Sequence, residues 1–278
     1  MVKGVHLEGL RVLGKPEDFA KYYYETGADE LFYQDVVASL YNRNSLNEII
    51  SRTAKKSYIP LTVGGGVRTL DDIKDVLRAG ADKVCINTAA IRRPGFIAEA
   101  CKRFGSSTIV IAIEAIKQAS GEYLAYVDNG REFTGVNVID WAEKVQELGA
   151  GEIVITSVDK EGTGRGFDCE LTKLISSRLS IAVVAHGGGG TFQHFEDVVT
   201  KGLADAFAIS SVLHYDFISK HRSQIEAGQE GNLEFLNSGR KTFRSIEPLT
   251  ILGIKQFLTS KNILCRMPSK YYEESSDN

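Results

Sequence analysis

The sequence predicts an α/β fold in which buried parallel strands alternate with helices, and three observations support this. Seven short apolar runs are each followed by a helical or loop return, which is typical of parallel crossovers. A glycine turn at 64–66 separates a strand from a helix, and a second turn at 187–189 does the same. The residues around both turns repeat at a period of 122 to 123 positions. A (β/α)8 TIM barrel built from two half-barrels explains all three observations. A doubly wound open sheet is the alternative, but it gives no reason for two equivalent turns.

In the first half, capping and stop residues mark the helix boundaries. Pro16 predicts the first turn of a helix that Gly27 ends. Thr69 and Asp72 have the spacing of a capping pair after the first glycine turn, and Pro94 opens the last helix of this half. The predicted elements are helix 16–26, strand 30–35, helix 45–56, strand 61–63, helix 69–79, strand 83–87 and helix 94–104.

In the second half, an almost wholly β-branched run at 108–114 predicts a strand buried on both faces. Asn129-Gly130 predicts the turn of a hairpin between 123–127 and 132–134. A polar stretch breaks the alternation at 216–246 and is predicted to be an inserted surface segment. The remaining predicted strands are 152–156, 181–185 and 205–209, and the remaining predicted helices are 137–148, 169–177, 191–201 and 247–260. All these elements belong to one predicted domain over 1–265, and a polar tail follows at 266–278.

The repeat also predicts which element the first half lacks. Gly27-Ala28-x-Glu30 matches Gly149-Ala150-x-Glu152, and Ala81-Asp82 matches Ala204-Asp205. The partner of strand 108–114 would fall before Met1. We therefore expect the barrel's first strand to be missing from this sequence, which would leave two unpaired sheet edges.

The composition excludes several classes of protein. The 278 residues are 43% hydrophobic and 25% charged, with a formal net charge of -3, which argues against general nucleic-acid or membrane-surface binding. No apolar run reaches the roughly 18–20 residues of a membrane span. The four cysteines are scattered without CxxC spacing, so neither a disulfide framework nor a zinc site is expected, and a reducing cytoplasm fits. His186, His194 and His214 have no metal-ligand spacing and are interpreted as ordinary polar or capping residues.

Candidate site residues collect where the predicted strands end, the face that carries active sites in such barrels. Glycine turns can bring backbone N–H groups to a phosphate. Two phosphate cradles are predicted: one joins Gly65 and Gly66 to Asn87 and Thr88, and the other joins Gly188 and Gly189 to Ser210 and Ser211. Two cradles across one barrel mouth indicate a long ligand with a phosphate at each end.

Glu114 ends an apolar strand and is a candidate general acid or base, because burial would raise its pKa. The alternative is an ion pair with Lys3 or Lys117. At the opposite face Glu30, Lys83 and Glu152 begin strands, where either a charge-paired plug or a functional cluster is expected.

Seven motifs together point to one family: residues 2–4, 35–39, 62–67, 81–90, 149–153, 156–163 and 204–206. In this combination they resemble the HisA/HisF family, and most closely HisF, the cyclase subunit of imidazole glycerol phosphate synthase. The likeness covers about residues 1–215 and the last helix. The related isomerase shares the half-barrels and phosphate turns but not the Asp-x-x-Ala-Ser stretch at 35–39.

The resemblance implies ammonia-dependent cyclisation and cleavage of a bis-phosphate, phosphoribulosyl-formimino aminoimidazole carboxamide ribonucleotide, in histidine biosynthesis. Ammonia would come from a HisH-like glutaminase partner at the N-terminal face of the barrel. Glu30, Lys83 and Glu152 match three of the four residues of the family's charged gate, and Asp82 matches a docking residue. No cofactor, metal, nucleic acid or membrane is implied. The candidate phosphate and substrate residues are Lys3, Asp35, Gly65, Gly66, Asn87, Thr88, Thr156, Ser157, Asp159, Glu161, Gly162, Gly188, Gly189, Ser210 and Ser211.

Two departures concern the family's acidic residues. Its two catalytic aspartates end strands one and five; the first has no counterpart here, and Glu114 holds the second position. Glu161 stands where the family usually has Asp. A glutamate reaches one methylene farther, and a displacement of ~1 Å can lower a rate ~100-fold. Three functions are therefore considered: the cyclase, a HisF-like ammonia-channelling subunit for amidation of a surface sugar, and a catalytically weakened scaffold for a glutaminase.

Overall fold

A computed structural model describes residues 2–5, 8–35, 47–221 and 246–268, with side chains from Leu13 onward. Its centre is a parallel sheet that forms a barrel wall inside a layer of helices, which confirms the predicted (β/α)8 architecture. In the described part of the chain, no helix has the length and apolarity needed to cross a bilayer.

The strands, in chain order, are β1 (Val2–Val5), β2 (Glu8–Val12), β3 (Leu31–Gln34), β4 (Leu61–Gly64), β5 (Lys83–Ile86), β6 (Ile109–Lys117), β7 (Tyr123–Val127), β8 (Glu132–Asn137), β9 (Glu152–Ser157), β10 (Ala182–His186) and β11 (Ala206–Ala208). The helices are α1 (Pro16–Glu25), α2 (Asn47–Ala54), α3 (Leu70–Arg78), α4 (Thr88–Arg92), α5 (Gly95–Phe104), α6 (Val138–Glu147), α7 (Cys169–Ser176), α8 (Phe192–Thr200), α9 (Ser211–His221) and α10 (Ile251–Ser260). Each of the seven predicted parallel strands is present, with ends that shift by up to three residues.

The parallel strands follow one another in the order β3-β4-β5-β6-β9-β10-β11. The order never reverses, as a barrel requires and a doubly wound sheet does not allow. β3 and β11 are the two ends of this order, and no strand among the described residues joins them. The hairpin β7–β8 extends the sheet from the C-terminal part of β6, where Glu114 pairs with Tyr126. Among the described strands, β1 and β2 pair only with each other.

Side chains alternate between the two faces of each strand, and this alternation divides the core. Those on the outer face, such as Ile111 and Ile153, are fully buried beneath the helices. On the inner face, Cys85, Val110 and Val154 form a small apolar cluster inside the barrel. A thin apolar layer therefore separates the two ends of the barrel interior.

Both glycine turns lead into helices that begin with a reciprocal cap. Thr69 Oγ1 accepts a hydrogen bond from Asp72 N at 3.1 Å, and Asp72 Oδ2 accepts one from Thr69 N at 2.8 Å, which confirms the predicted capping pair. In the second half, His194 Nδ1 accepts from Thr191 N at 3.2 Å. The duplicated turn keeps the backbone arrangement of the first half but uses an imidazole in place of a carboxylate.

Predicted boundaries are corrected at β6 and at the last helix, and two further predictions lie outside the described residues. β6 runs to Lys117 because its last residues pair with β7. The last helix begins at Ile251 rather than at 247. Ser45, the predicted cap of the helix observed as α2, lies outside the described residues, as do the last ten residues of the predicted tail.

The predicted surface segment 216–246 begins inside α9, where Asp216 is buried. The Asp216 carboxylate accepts a hydrogen bond from the Tyr22 hydroxyl at 2.5 Å and pairs with Lys220 at 2.8 Å. These contacts join α9 to α1 and explain why a polar residue is buried there. Residues 222–245 lie outside the described ones.

Candidate active site at the C-terminal ends of the strands

Glu114 lies on the inner face of β6 and its side chain is buried. Its Oε2 accepts a hydrogen bond from Gly130 N at 2.8 Å, and the Asn87 side chain and the Asn129 backbone also hydrogen-bond to it. Burial raises the pKa of Glu114 to about 7, because desolvation outweighs these hydrogen bonds to the charged form. The carboxyl group can therefore give or take a proton near neutral pH.

Lys117, one of the two ion-pair partners considered for Glu114, does not fill that role. It lies three positions along β6, so the two side chains point to opposite faces of the sheet. Lys117 Nζ instead pairs with Glu170 Oε2 at 2.6 Å. The side chain of Lys3, the other candidate partner and a predicted substrate residue, lies outside the described residues.

The tip of the β7–β8 hairpin covers Glu114. Asp128, Asn129 and Gly130 all have positive φ, at 53°, 62° and 75°. Arg92 holds this tip, with its guanidinium 3.2 Å from Asp128 Oδ2 and 2.6 Å from Glu132 Oε2. The negative charge of Asp128 adds to the upward shift of the Glu114 pKa. Sequence reasoning predicted the hairpin but not its contact with the carboxyl group.

Thr156 and His186 continue the same inner row on the next two strands. The strand register pairs Glu114 with Thr156, and Thr156 with His186. Thr156 Oγ1 lies 3.0 Å from His186 Nδ1. Burial lowers the pKa of His186, while the nearby Glu161 carboxylate opposes this shift. His186 was interpreted from sequence as an ordinary polar residue; counting alternate residues along β10 would have placed it on the inner face.

The second predicted cradle comes together as a pocket of about 290 Å³ that is open to solvent. Gly188 has a φ of +104°, and a Cβ added to it would lie 2.1 Å from Gly166 O, so no larger residue fits there. The first N–H groups of α9 also face this end of the barrel, and a helix N-terminus favours an anion. The lining of the pocket includes the predicted residues Glu161, Gly162, Gly188, Gly189, Ser210 and Ser211, together with His186.

The first predicted cradle lies at the ends of β4 and β5. Gly65 has a φ of +107°, and a Cβ there would lie 2.4 Å from Asp35 O, while Gly66 has a φ of +71°. Asn87 hydrogen-bonds to Glu114, and Thr88 Oγ1 lies 3.5 Å from Asp128 Oδ1. The structure therefore brings the predicted residues to one end of the barrel and connects them to the hairpin over Glu114.

Two predicted residues of the loop after β9 make structural contacts. Ser157 Oγ lies 3.4 Å from Asp168 Oδ2, on the opposite face of β9 from Thr156. Asp159 Oδ2 accepts a hydrogen bond from Lys117 N at 3.0 Å. These contacts fix the start of the loop, whereas Glu161 and Gly162 reach the pocket.

A charged cluster lies at the other end of the barrel interior. Lys83 Nζ is 2.9 Å from Glu30 Oε2 and 2.9 Å from Glu152 Oε2, and the Thr62 hydroxyl donates to Glu30. Burial lowers the pKa of Lys83, but its two carboxylate partners outweigh that effect and the pKa is raised. Asp82 Oδ2 accepts a hydrogen bond from Leu61 N at 2.8 Å. The three predicted charged residues are thus brought together as one ion-paired group.

Comparison with known proteins identifies relatives of this arrangement. A family model described as "Histidine biosynthesis protein" matches residues 1–219. The imidazole glycerol phosphate synthase subunit HisF of Legionella pneumophila is 54% identical over 195 residues, which cover 70% of this chain and 92% of that protein. The HisF subunit of Prochlorococcus marinus is 48% identical over 216 residues, covering 77% and 84%, and that of Alkaliphilus metalliredigens is 43% identical over 219 residues, covering 79% and 87%.

Proposed function

The chain belongs to the histidine biosynthesis protein family, as a relative of its HisF subunits, and we propose that it is the cyclase subunit of an imidazole glycerol phosphate synthase. The reaction closes an imidazole ring with ammonia and cleaves the bis-phosphate substrate, giving imidazole glycerol phosphate and the aminoimidazole carboxamide ribonucleotide. The observation that carries this proposal is the buried Glu114, whose pKa is raised to about 7, at the barrel end that bears both glycine turns.

The substrate's two phosphates account for the duplicated glycine turn. One phosphate would bind at Gly188 and Gly189 with the start of α9, and the other beside Gly65 and Gly66. Backbone N–H groups can approach an anion closely at these positions because a side chain is excluded at Gly65 and Gly188. The reacting centre would then lie between the turns, over the inner-face residues Glu114 and Thr156.

The HisF name of the relatives denotes a subunit, and we place the glutaminase partner at the N-terminal end of the barrel. The charged cluster of Glu30, Lys83 and Glu152 opens at that end. Exposed apolar side chains occur at the same end of the barrel: Tyr58 precedes β4 and is 81% exposed, and Leu203 precedes β11 and is 46% exposed. An apolar surface around a charged centre is suited to binding another protein. The four cysteines are free, and we place the complex in the cytoplasm.

Turnover of the purified chain with ammonium and the bis-phosphate substrate tests the proposal. Glu114→Gln should lower kcat by about 10²- to 10⁴-fold, the usual contribution of a general acid or base. Lys83→Met should impair turnover with glutamine and the glutaminase, but should leave turnover with added ammonium nearer to that of the wild type. A wild-type chain that binds the bis-phosphate without converting it would refute the cyclase and would favour a scaffold instead.

A further inference from the structure

We propose that His186 is a second acid–base residue of this site, which acts on the substrate through Nε2 while Thr156 holds the ring through Nδ1. The proposal rests on the proposed function, because it assigns a step of that reaction. It depends on the place of His186 in the barrel: the inner face of β10, at the wall of the phosphate pocket, in line with Glu114.

The strand register sets the spacing of the two groups. Glu114, Thr156 and His186 are direct neighbours on three adjacent parallel strands, which lie about 4.8 Å apart. The backbones of Glu114 and His186 are therefore about 10 Å apart, and both side chains point inward. A substrate carbon held over Thr156 would be within reach of both groups.

The hydrogen bond at Nδ1 orients the imidazole. Thr156 Oγ1 lies 3.0 Å from this nitrogen, and among the residues that the structure describes it is the ring's hydrogen-bond partner. Nε2 is then the nitrogen that remains for a ligand. A fixed ring with one nitrogen engaged and the other facing substrate is the usual arrangement of a histidine that transfers protons.

The charges around His186 favour a neutral ring that can still take up a proton. Glu161 faces it from the loop after β9, and Glu114 lies two strands away. On the other side, Ala208 and Ser211 line the pocket without charge. Burial lowers the pKa of His186, and Glu161 limits this effect, so the imidazole is mostly unprotonated at pH 7.

A neutral imidazole supplies two of the four proton transfers by which ammonia replaces a carbonyl oxygen. When ammonia adds to the carbonyl carbon, the N–C bond forms and the C=O π bond breaks; Nε2 accepts a proton from the nitrogen, and the Glu114 carboxyl group gives one to the alkoxide. When the carbinol oxygen leaves as water, the C–O bond breaks and a C=N bond forms; the imidazolium gives its proton to that oxygen, and the Glu114 carboxylate takes the second proton from the nitrogen. No oxidant or reductant takes part. Glu114 would serve the other proton transfers of ring closure and cleavage.

The test compares His186→Asn with wild type, with Glu114→Gln and with His221→Asn. Asn can keep the hydrogen bond to Thr156, because its amide reaches the place of Nδ1, but it cannot exchange a proton. His221 lies at the far end of α9 and serves as the matched histidine control. The readouts are kcat and KM with ammonium and the bis-phosphate across pH 5–9, and the thermal midpoint of each variant.

We expect His186→Asn to lower kcat about 10²-fold or more, with little change in KM and a folded protein. The acidic limb of the kcat profile should disappear in His186→Asn, while Glu114→Gln should remove the alkaline limb. A folded His186→Asn that keeps both limbs and most of its kcat would overturn the role of His186 and leave the cyclase intact. A wild type without turnover would overturn both the cyclase and the role of His186. A rise in KM with an unchanged kcat would assign His186 to substrate binding and would overturn its role in proton transfer.

Discussion

Glu114→Gln should stabilise the protein at the same pH at which it lowers the activity. The carboxyl group is buried on the inner face of β6, and desolvation disfavours its charged form more than its three hydrogen bonds favour it. A glutamine of the same length carries no charge at any pH. Its carbonyl oxygen can still accept the hydrogen bond from Gly130 N, and the Asn87 amide can turn to offer its oxygen to the new NH₂ group.

The pKa of Glu114 sets the size of the effect. The folded protein holds it at about 7, against an ordinary value of 4.5. Each unit of difference between the pKa in the folded state and that in the unfolded state changes the free energy of unfolding by about 1.4 kcal/mol. The buried carboxylate therefore lowers the free energy of unfolding by up to about 3 kcal/mol at alkaline pH. At pH 4 the group is protonated in both states, and the penalty is absent.

Urea unfolding at pH 4, 5.5, 7 and 8.5 measures this difference directly. The stability of Glu114→Gln relative to wild type should rise as pH increases through the window from 4.5 to 7 and should level off above it. Glu122→Gln is the matched control, because it makes the same substitution at an exposed glutamate. A gap between Glu114→Gln and wild type that does not change with pH would refute the argument, even if the variant were inactive.

Three further outcomes follow from the same structure. Gly188→Ala should lower the free energy of unfolding in urea by about 2 kcal/mol or more, because its Cβ would meet Gly166 O at 2.1 Å and its φ is positive. The same variant should bind inorganic phosphate more weakly. Gly95→Ala is the control and should be neutral in both assays, since a Cβ there meets nothing within 4 Å. Thr69→Ala should lower unfolding free energy by about 1 kcal/mol, while Thr69→Ser should restore it. Asp216→Asn should lower the thermal midpoint, at a loss of about 1–3 kcal/mol, because it weakens the junction of α1 and α9; an unchanged midpoint would contradict that role.

Local patterns were enough to predict the frame of the barrel. The seven parallel strands and the cap at Thr69 depend on residues a few positions apart, and the sequence states those spacings directly. The duplicated glycine turn predicted a barrel rather than a doubly wound sheet, and the strand order agrees. Glu114 could also be predicted as a buried carboxyl group, because an apolar strand surrounds it.

Contacts between distant segments could not be predicted in the same way. Gly130 donates to Glu114 across 16 positions, and only three successive positive φ angles bring the hairpin tip there. Lys117 was a candidate partner for Glu114 because the two are close in the chain. Alternation along β6 places Lys117 on the opposite face, where it pairs with Glu170. His186 was missed for a different reason. The sequence predicts its strand, but the inner face on which it lies follows only from alternation along that strand.

The apolar layer of Cys85, Val110 and Val154 links the two ends of the barrel in one physical argument. Cys85 lies one alternation step above Lys83, and Val154 lies one step below Thr156, which pairs with Glu114. Neutral ammonia can cross such a layer, whereas ammonium would lose several kcal/mol of hydration. Burial above the same layer desolvates Glu114 and raises its pKa. On the proposed function, one layer would thus admit the reactive form of ammonia and keep a proton available on the carboxyl group that it meets.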